Sequence, residues 1–145
     1  MLIKYRKLKP NAAAPVRGSA SAAGADLRAC IDGPVTIAPG ETAMLGTGLA
    51  LEIPEGCVGL VFARSGLASR RGLAPANKVG VIDSDYRGEV TVALHNHGSA
   101  PQTLAPGERI AQIVVVNYQT PEFAEAESLT DTARGTGGFG STGMK

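Results

Sequence analysis

The sequence predicts an all-β domain, either a barrel or a sandwich, on three observations. Glycine and proline are abundant, with 19 Gly and 9 Pro in 145 residues. These residues are spread between short apolar runs, a pattern that favours many turns over long helices. Between residues 89 and 95, the apolar residues Val90, Val92 and Leu94 occupy every second position, which predicts a strand with one buried face.

Strand-like segments follow one another along the chain, each bounded by turn-forming residues. In order they read PVTIAPGE, AMLGTGLALEIPEG, CVGLVFARSG, NKVGVIDSDYRG, EVTVALHNHG and ERIAQIVVVNY. Residues 67–73, LASRRGL, predict a turn or two of helix. Residues 122–129, EFAEAESL, have helical propensity but also fit an extended acidic connector.

The length of the chain predicts one domain, because single cores usually contain ~100–200 residues. We place a β-barrel domain at residues 1–133 and a flexible glycine-rich arm at residues 134–145, RGTGGFGSTGMK. Three glycines of the arm have the spacing of a dinucleotide-binding fingerprint, but that motif requires a preceding strand and a following helix. We therefore predict no such site in the arm.

Charge and hydropathy exclude several classes of protein. The net charge of +1 is too small for a protein that binds nucleic acid through broad phosphate neutralisation. Apolar runs such as residues 113–116 are far shorter than the ~20 residues that span a bilayer. The first ten residues lack the apolar core of a signal peptide. We expect no membrane partner and a cytoplasmic location, or a nuclear or organellar one in a eukaryote, with Cys30 and Cys57 as reduced core thiols.

Candidate chemistry concentrates in the predicted hairpin of residues 77–90. Asp83 and Asp85 precede Tyr86, and Gly80 and Gly88 flank them. Acidic residues in hairpins are commonly solvated turn formers. An aspartate beside an aromatic ring, with glycines that allow close backbone approach, also fits a pocket for a flat base with a carboxylate that activates water.

Two other groups of polar residues stand out. Arg64, Ser65 and Gly66 can offer a cation, a hydroxyl and a backbone N–H to phosphate oxygens, although such a triplet is also an ordinary turn. His95 and His97 would share one strand face, but two histidines do not make a zinc site, and we expect a polar role at a strand end.

Five segments, in fixed order, resemble the trimeric deoxyuridine triphosphate nucleotidohydrolase (dUTPase) family. They are AGADLRA at 23–29, RSGLASRRGL at 64–73, NKVGVIDSDYRGEV at 77–90, GERIAQIVV at 107–115 and RGTGGFGSTG at 134–143. The resemblance implies a jelly-roll-like barrel, a homotrimer with active sites shared between subunits, and an arm that closes over the bound nucleotide. It also implies Mg²⁺-dependent hydrolysis of dUTP to dUMP and pyrophosphate, which limits uracil incorporation into DNA and supplies dUMP for thymidylate synthesis.

The resemblance also assigns roles to residues. Asp83 would be the general base for the water that attacks the α-phosphorus, and Tyr86 would pack against deoxyribose and exclude a 2′-hydroxyl. Main-chain groups of the hairpin and residues at its mouth would read the uracil: Asn77, Gly80, Val81, Ile82 and Thr91. A rigid backbone discriminates bases by leaving groups of the wrong base unpaired.

The phosphate end of the site and its lid are assigned in the same way. Arg64, Ser65, Gly66 and Gln112 match the segments that position the phosphates and the attacking water, and Asp26 matches a carboxylate that holds Mg²⁺ through water. In the arm, Phe139 matches the aromatic residue that stacks on uracil, while Arg134, Gly140 and Ser141 match phosphate contacts. Ala63 replaces a proline that is common in the family, which leaves the catalytic groups unaffected.

Three other functions are compatible with part of the sequence. The related dCTP deaminases use a glutamate on the strand after the hairpin, where this chain has Ala93. A non-catalytic nucleotide-binding protein would be expected to lack Asp83 or the arm, and this chain has both. A jelly-roll coat subunit fits the composition but does not explain the phosphate-contact segments.

Overall fold

The structure, a computed structural model, describes residues 1–138 and is built almost entirely of β-strands. Its single helix within that range is α1 (Ser65–Arg71). The strands are β1 (Lys4–Lys7), β2 (Val16–Arg17), β3 (Ala25–Arg28), β4 (Val35–Ile37), β5 (Thr42–Gly46), β6 (Leu49–Glu52), β7 (Cys57–Phe62), β8 (Leu73–Pro75), β9 (Gly80–Ile82), β10 (Thr91–Asn96), β11 (Gln102–Leu104) and β12 (Arg109–Asn117). The predicted all-β class is confirmed.

The strands pair antiparallel in four sheets that enclose one core. The largest sheet has the order β2-β3-β12-β7-β9, and a second has the order β5-β10-β8, while β1 pairs with β6 and β4 with β11. Most paired strands are distant in sequence, as β1 and β6 or β3 and β12, which is typical of barrels closed by long connections. The largest fully buried apolar side chains are Leu27, Ile37, Leu45, Leu49, Ile53, Leu73, Leu94, Leu104 and Ile110.

Two strands show the alternation of buried and less buried residues most clearly. Along β10 the side chains of Val92, Leu94 and Asn96 are buried and the residues between them are not. In β7 the buried positions are Cys57, Gly59 and Val61. The strand predicted at residues 89–95 is therefore confirmed, with β10 beginning two residues later and ending one residue later than predicted.

The helix is short and its ends have clear causes. Arg64, just before it, has extended dihedrals (φ −85°, ψ 132°), and Gly72 ends it with a left-handed φ of 65° that suits a residue without Cβ. Arg70 and Arg71 in the last turn interact favourably with the helix dipole. The helical turn predicted within residues 67–73 is present but begins at Ser65. Residues 118–138 contain neither helix nor strand, so the connector alternative describes residues 122–129.

Asn96 is a fully buried polar side chain that holds three segments together. Its Nδ2 donates to the backbone oxygens of Ile37 and Ala100, both at 2.9 Å, and its Oδ1 accepts from the Gly98 N–H at 2.9 Å. Every polar atom of the amide is thereby satisfied, which is the condition for burying it without a large penalty.

The two cysteines are buried free thiols, as the sequence predicted. The Sγ of Cys30 donates to Asn11 Oδ1 at 3.1 Å, and the Sγ of Cys57 donates to Asn117 Oδ1 at 3.2 Å. Among residues 1–138, no helix has the length and apolar character needed to cross a membrane.

Asn96→Ala should lower the free energy of unfolding by about 2–4 kcal/mol, because three backbone groups, the buried Ile37 carbonyl among them, lose their hydrogen-bond partner. Urea denaturation measures this loss, and Gln119→Ala, at an exposed position, is the control. Equal stability of the two variants would contradict the role given to Asn96.

Candidate active site

A cavity of about 310 Å³ opens where β9, β10 and β5 meet. Its walls combine main chain of the short strand β9 with side chains of the following turn and of β10. The lining residues are Met44, Val61, Pro75, Asn77, Gly80, Val81, Ile82, Asp83, Tyr86, Glu89, Val90, Thr91, Val92 and Ala93. The residues predicted to read the base, Asn77, Gly80, Val81, Ile82 and Thr91, thus all lie on one cavity together with Asp83 and Tyr86.

Strand β9 forms one wall because small residues let it approach β7 closely. Gly80 is paired with Val61, and a Cβ on Gly80 would lie only 3.2 Å from the Val61 Cβ. The preceding turn places Lys78 in the left-handed region, with φ 66°. This turn brings Asn77 against Gly80, since its Nδ2 would lie 3.4 Å from a Cβ there.

The turn after β9 directs Asp83 and Tyr86 to the same cavity. The Tyr86 N–H donates to the Asp83 carbonyl oxygen at 3.2 Å, closing the turn. The Tyr86 hydroxyl donates to the carbonyl of Glu89 at 3.0 Å. Gly88 makes room for the ring, since a Cβ there would lie 2.4 Å from the Tyr86 hydroxyl. Asp85 is exposed and does not line the cavity.

A second polar cluster lies across β3, β12 and the end of β7. Asp26 Oδ1 accepts from Arg64 Nε at 2.6 Å, and its Oδ2 accepts from Arg109 Nη1 at 3.2 Å. Gln112 pairs with Asp26 in the sheet, and its Nε2 donates to the Ala63 oxygen at 2.9 Å. Arg64 and Gln112, predicted to position the phosphates and the attacking water, and Asp26, predicted to hold Mg²⁺ through water, are therefore neighbours. Helix α1 begins beside them with the exposed residues Ser65 and Gly66.

Asp83 and this cluster lie at different levels along β7 within one chain. Ile82 pairs with Gly59, so Asp83 is level with the first part of β7, whereas Arg64 follows the last residue of the strand by two positions. About six residues of extended chain separate the two levels, or roughly 20 Å at ~3.3 Å per residue. Asp83 and Arg64 of one chain therefore cannot contact the same phosphorus atom.

Comparison with known proteins assigns the chain and its fold to a family. The family model described as dUTPase matches residues 10–143. The chain belongs to the dUTPase family.

Two bacterial dUTPase relatives named deoxyuridine 5′-triphosphate nucleotidohydrolase support the assignment. The protein of Desulfitobacterium hafniense is 54% identical over 131 residues, which cover 90% of this chain and 87% of that protein. The protein of Anaeromyxobacter sp. is 58% identical over 122 residues, 84% of this chain and 82% of that protein.

Solved dUTPase structures have the same fold. The dUTPase of Staphylococcus bacteriophage 80alpha with dUPNHPP superposes with a TM-score of 0.91 at 30% identity, covering 99% of each chain. A mutant dUTPase from phage phi11 of S. aureus, described with a structural Mg(II) ion, has a TM-score of 0.80 at 27% identity, covering 88% of this chain and 98% of that one.

The remaining predicted dUTPase residues belong to the arm. Arg134 Nε donates to the Gly137 oxygen at 2.8 Å, within a turn of the arm itself. Phe139, Gly140 and Ser141 lie outside the described residues.

Sequence reasoning missed several residues of the two clusters. Met44, Pro75 and Glu89 also line the cavity, and Arg109 shares the Asp26 carboxylate with Arg64. Only Glu89 had a signal in the sequence. It comes directly before the alternating pattern of β10, a strand that also carries the predicted site residue Thr91.

The donor set of the described residues fits a hydrated Mg²⁺ that is held mainly by a ligand. No group of three His, Cys, Asp or Glu side chains that could hold a metal occurs within residues 1–138. Both oxygens of Asp26 accept from arginines, yet a carboxylate oxygen has a second lone pair that can accept from a metal-bound water. Mg²⁺ commonly keeps several waters and binds substrate phosphates.

His97, which follows the last residue of β10, has a lowered pKa. Desolvation, then the positive charge of Lys78 and then that of His95, lower the pKa of His97. The rings of His95 and His97 meet edge to face with centroids 4.3 Å apart, and His97 Nε2 lies 3.4 Å from Lys78 Nζ. The neutral His97 ring accepts a hydrogen bond from the Lys78 ammonium group at Nε2, and protonation of Nε2 would remove that bond.

Asp26→Ala should lower the free energy of unfolding by about 1–3 kcal/mol, because the half-buried guanidinium of Arg64 loses its charged partner. Thermal and urea unfolding measure the change against Asp32→Ala, at an exposed aspartate. If both variants were equally stable, the Asp26 ion pairs would contribute nothing to the fold.

Proposed function

We propose that the chain hydrolyses dUTP to dUMP and pyrophosphate, with Mg²⁺, in an active site built around the cavity of β9. The observation that carries the proposal is that one cavity has edge-strand main chain, an exposed carboxylate and a half-exposed tyrosine on its walls. These are the groups needed to read a base, activate water and contact a sugar.

Asp83 is the general base of the proposed reaction. Its carboxylate is exposed on the cavity, so a water molecule can lie within the ~2.6–3.2 Å that proton transfer requires. The water oxygen forms a bond to the α-phosphorus while the bond from that phosphorus to the bridging oxygen of the β-phosphate breaks. The proton goes to Asp83, and pyrophosphate leaves with the bonding electrons.

Uracil is read by the main chain of β9. This strand is at the edge of its sheet and pairs with β7 on one side only. The outward N–H and C=O groups of an edge strand are free to bond with another molecule. Residues Gly80, Val81 and Ile82, with Asn77 and Thr91 beside them, can match the alternating donors and acceptors of uracil, and cytosine would leave some of these groups unpaired.

Tyr86 selects the sugar by contact with its ring. The ring is 45% exposed, and its hydroxyl is held by the Glu89 carbonyl. A ring fixed in this way occupies a set volume of the cavity wall, where deoxyribose packs and a 2′-hydroxyl finds neither space nor a partner.

The phosphate chain is bound by the second cluster, in a homotrimer. Arg64, Ser65, Gly66, Gln112 and Asp26 are the proposed phosphate and metal residues. Because this cluster lies roughly 20 Å from the level of Asp83 in one chain, the cluster that completes each cavity comes from a second copy. The number of three copies follows from the resemblance to trimeric dUTPases.

Bound Mg²⁺ would neutralise the phosphate chain and favour a single in-line geometry. Asp26 would hold it through water, and Arg64 would bind phosphate oxygens from the side.

The arm closes the proposed site. Residues 119–136 are exposed, with Phe123 and Leu129 93% and 88% accessible, so this segment leads away from the last strand, β12, toward the arm. Arg134, Phe139, Gly140 and Ser141 then contact phosphates and base in an arm of residues 134–145. In a cell, the reaction would limit uracil incorporation into DNA and supply dUMP for thymidylate synthesis, in the cytoplasm.

Pyrophosphate release from dUTP, dCTP, dTTP, dATP, dGTP and UTP, each with Mg²⁺ and with EDTA, tests the reaction directly. We expect release from dUTP alone, abolished by EDTA. Release from no nucleotide would rule out the proposed reaction, and equal release with EDTA would rule out the metal.

Asp83→Asn should reduce kcat for dUTP by about 10²- to 10⁴-fold, because the amide cannot accept the proton of the attacking water. Binding of dUpNHpp, measured by calorimetry, should be retained. The matched control is Asp85→Asn in the same turn, whose side chain is outside the cavity and which should keep wild-type turnover. Equal turnover of the two variants would show that Asp83 is not the base.

A further inference from the structure

The carboxylate of Glu89 forms a contact that the reaction itself does not require. Its Oε1 accepts a hydrogen bond from the Gly48 N–H at 2.7 Å, between residues 41 positions apart. Gly46 provides the space, since a Cβ there would lie 2.4 Å from the same oxygen and 3.0 Å from the carboxyl carbon. The turn between β5 and β6 is therefore shaped to hold this side chain.

The main chain around Glu89 is tied to the same turn. The Val90 N–H donates to the Leu49 oxygen at 2.8 Å, and the Thr47 N–H and hydroxyl donate to the Val90 oxygen at 3.1 and 2.7 Å. These bonds are all made by Val90, and they leave the carbonyl of Glu89 to accept the hydrogen bond of the Tyr86 hydroxyl at 3.0 Å.

Tyr86 has few other constraints. Its ring is half exposed and lies over Gly88, which offers no side chain to hold it. The hydroxyl bond to Glu89 is thus the contact that sets how far the ring extends over the cavity. Any rotation of the Glu89 peptide moves the acceptor and, with it, the ring.

We propose that Glu89 is a positioning residue for sugar selectivity: by binding the Gly48 N–H, its side chain secures the peptide whose Val90 N–H is also anchored on Leu49, and this peptide carries the carbonyl that orients Tyr86 against the 2′ position of the nucleotide. This inference rests on the proposed hydrolysis of dUTP. Glu89 itself does not touch the reacting atoms, and its effect is on the choice between deoxyribose and ribose.

The chemistry of the contact distinguishes possible substitutions. A carboxylate that accepts a backbone N–H forms a charge-assisted hydrogen bond. Glutamine retains an acceptor oxygen at the same reach, whereas alanine removes it and leaves the Gly48 N–H without its partner. Gly46→Ala disturbs the contact from the opposite side, because its methyl group competes with Glu89 Oε1 for one volume.

The experiment measures kcat/KM for dUTP and for UTP with Mg²⁺ in the wild type and in Glu89→Ala, Glu89→Gln, Gly46→Ala and the Glu89→Ala/Gly46→Ala double variant. The ratio of kcat/KM for dUTP to kcat/KM for UTP measures sugar selectivity. We expect Glu89→Ala and Gly46→Ala each to lower this ratio by roughly 10-fold. Glu89→Gln should keep the ratio within about 2-fold, since the acceptor remains. The double variant should be no worse than Glu89→Ala, because the two changes disrupt one contact.

Glu55→Ala, at an exposed turn glutamate, is the control for loss of a surface charge, and thermal unfolding establishes that each variant is folded. An unchanged ratio in folded Glu89→Ala, or an equal fall for both substrates, would overturn the proposal and leave Glu89 a structural residue. If Glu89→Gln lost as much selectivity for dUTP as Glu89→Ala, the hydrogen bond to Gly48 would not be the cause of the effect, and the proposal would be overturned. If Glu89→Ala does not fold, the selectivity ratio of Gly46→Ala, which disturbs the same contact, tests the proposal instead.

Failure of the proposed function has a different signature. If the wild type hydrolyses neither nucleotide, the reaction is wrong. If the wild type prefers dUTP and the variants retain that preference, only the role of Glu89 is wrong.

Discussion

The close packing of β7 between β12 and β9 is the constraint on which the rest of the molecule depends. Gly59, at the centre of β7, has no room for a side chain: a Cβ would lie 3.1 Å from Ile113 Cδ1 and 3.3 Å from Ile82 Cβ. Pairing on both edges fixes the register of β7, to Ile82 of β9 on one side and, at its last residue Phe62, to Gln112 of β12 on the other. One strand thereby sets the positions of both the cavity and the arginine cluster.

Much of the fold follows from local pattern, because turn residues and strand periodicity act over a few residues. The alternation of Val92 and Leu94 predicted β10, and the hairpin around Asp83 was visible from its glycines and acidic residues. Asn96 shows the limit of such reasoning. It occupies a core position of the same alternation, and its burial depends on the Ile37 carbonyl, which only the tertiary fold brings near.

The candidate site divides in the same way. Residues within the hairpin, from Asn77 to Thr91, could be grouped from sequence because they are contiguous. The contact between Glu89 and Gly48 joins two turns 41 residues apart, and neither residue type predicts it. The separation of Asp83 from Arg64 also needed the register of β7, since the 18 intervening residues give no direction in space.

The short edge strand β9 has a consequence for solubility. Free N–H and C=O groups on a sheet edge invite pairing with another chain, and long apolar edges promote aggregation. The β9 edge is three residues long and carries exposed Val81 at its centre. Exposed Lys78 and Asp83 lie close to its two ends, and charges of this kind oppose the addition of a foreign strand. The short length of β9 thus also protects the protein from pairing edge to edge with another chain.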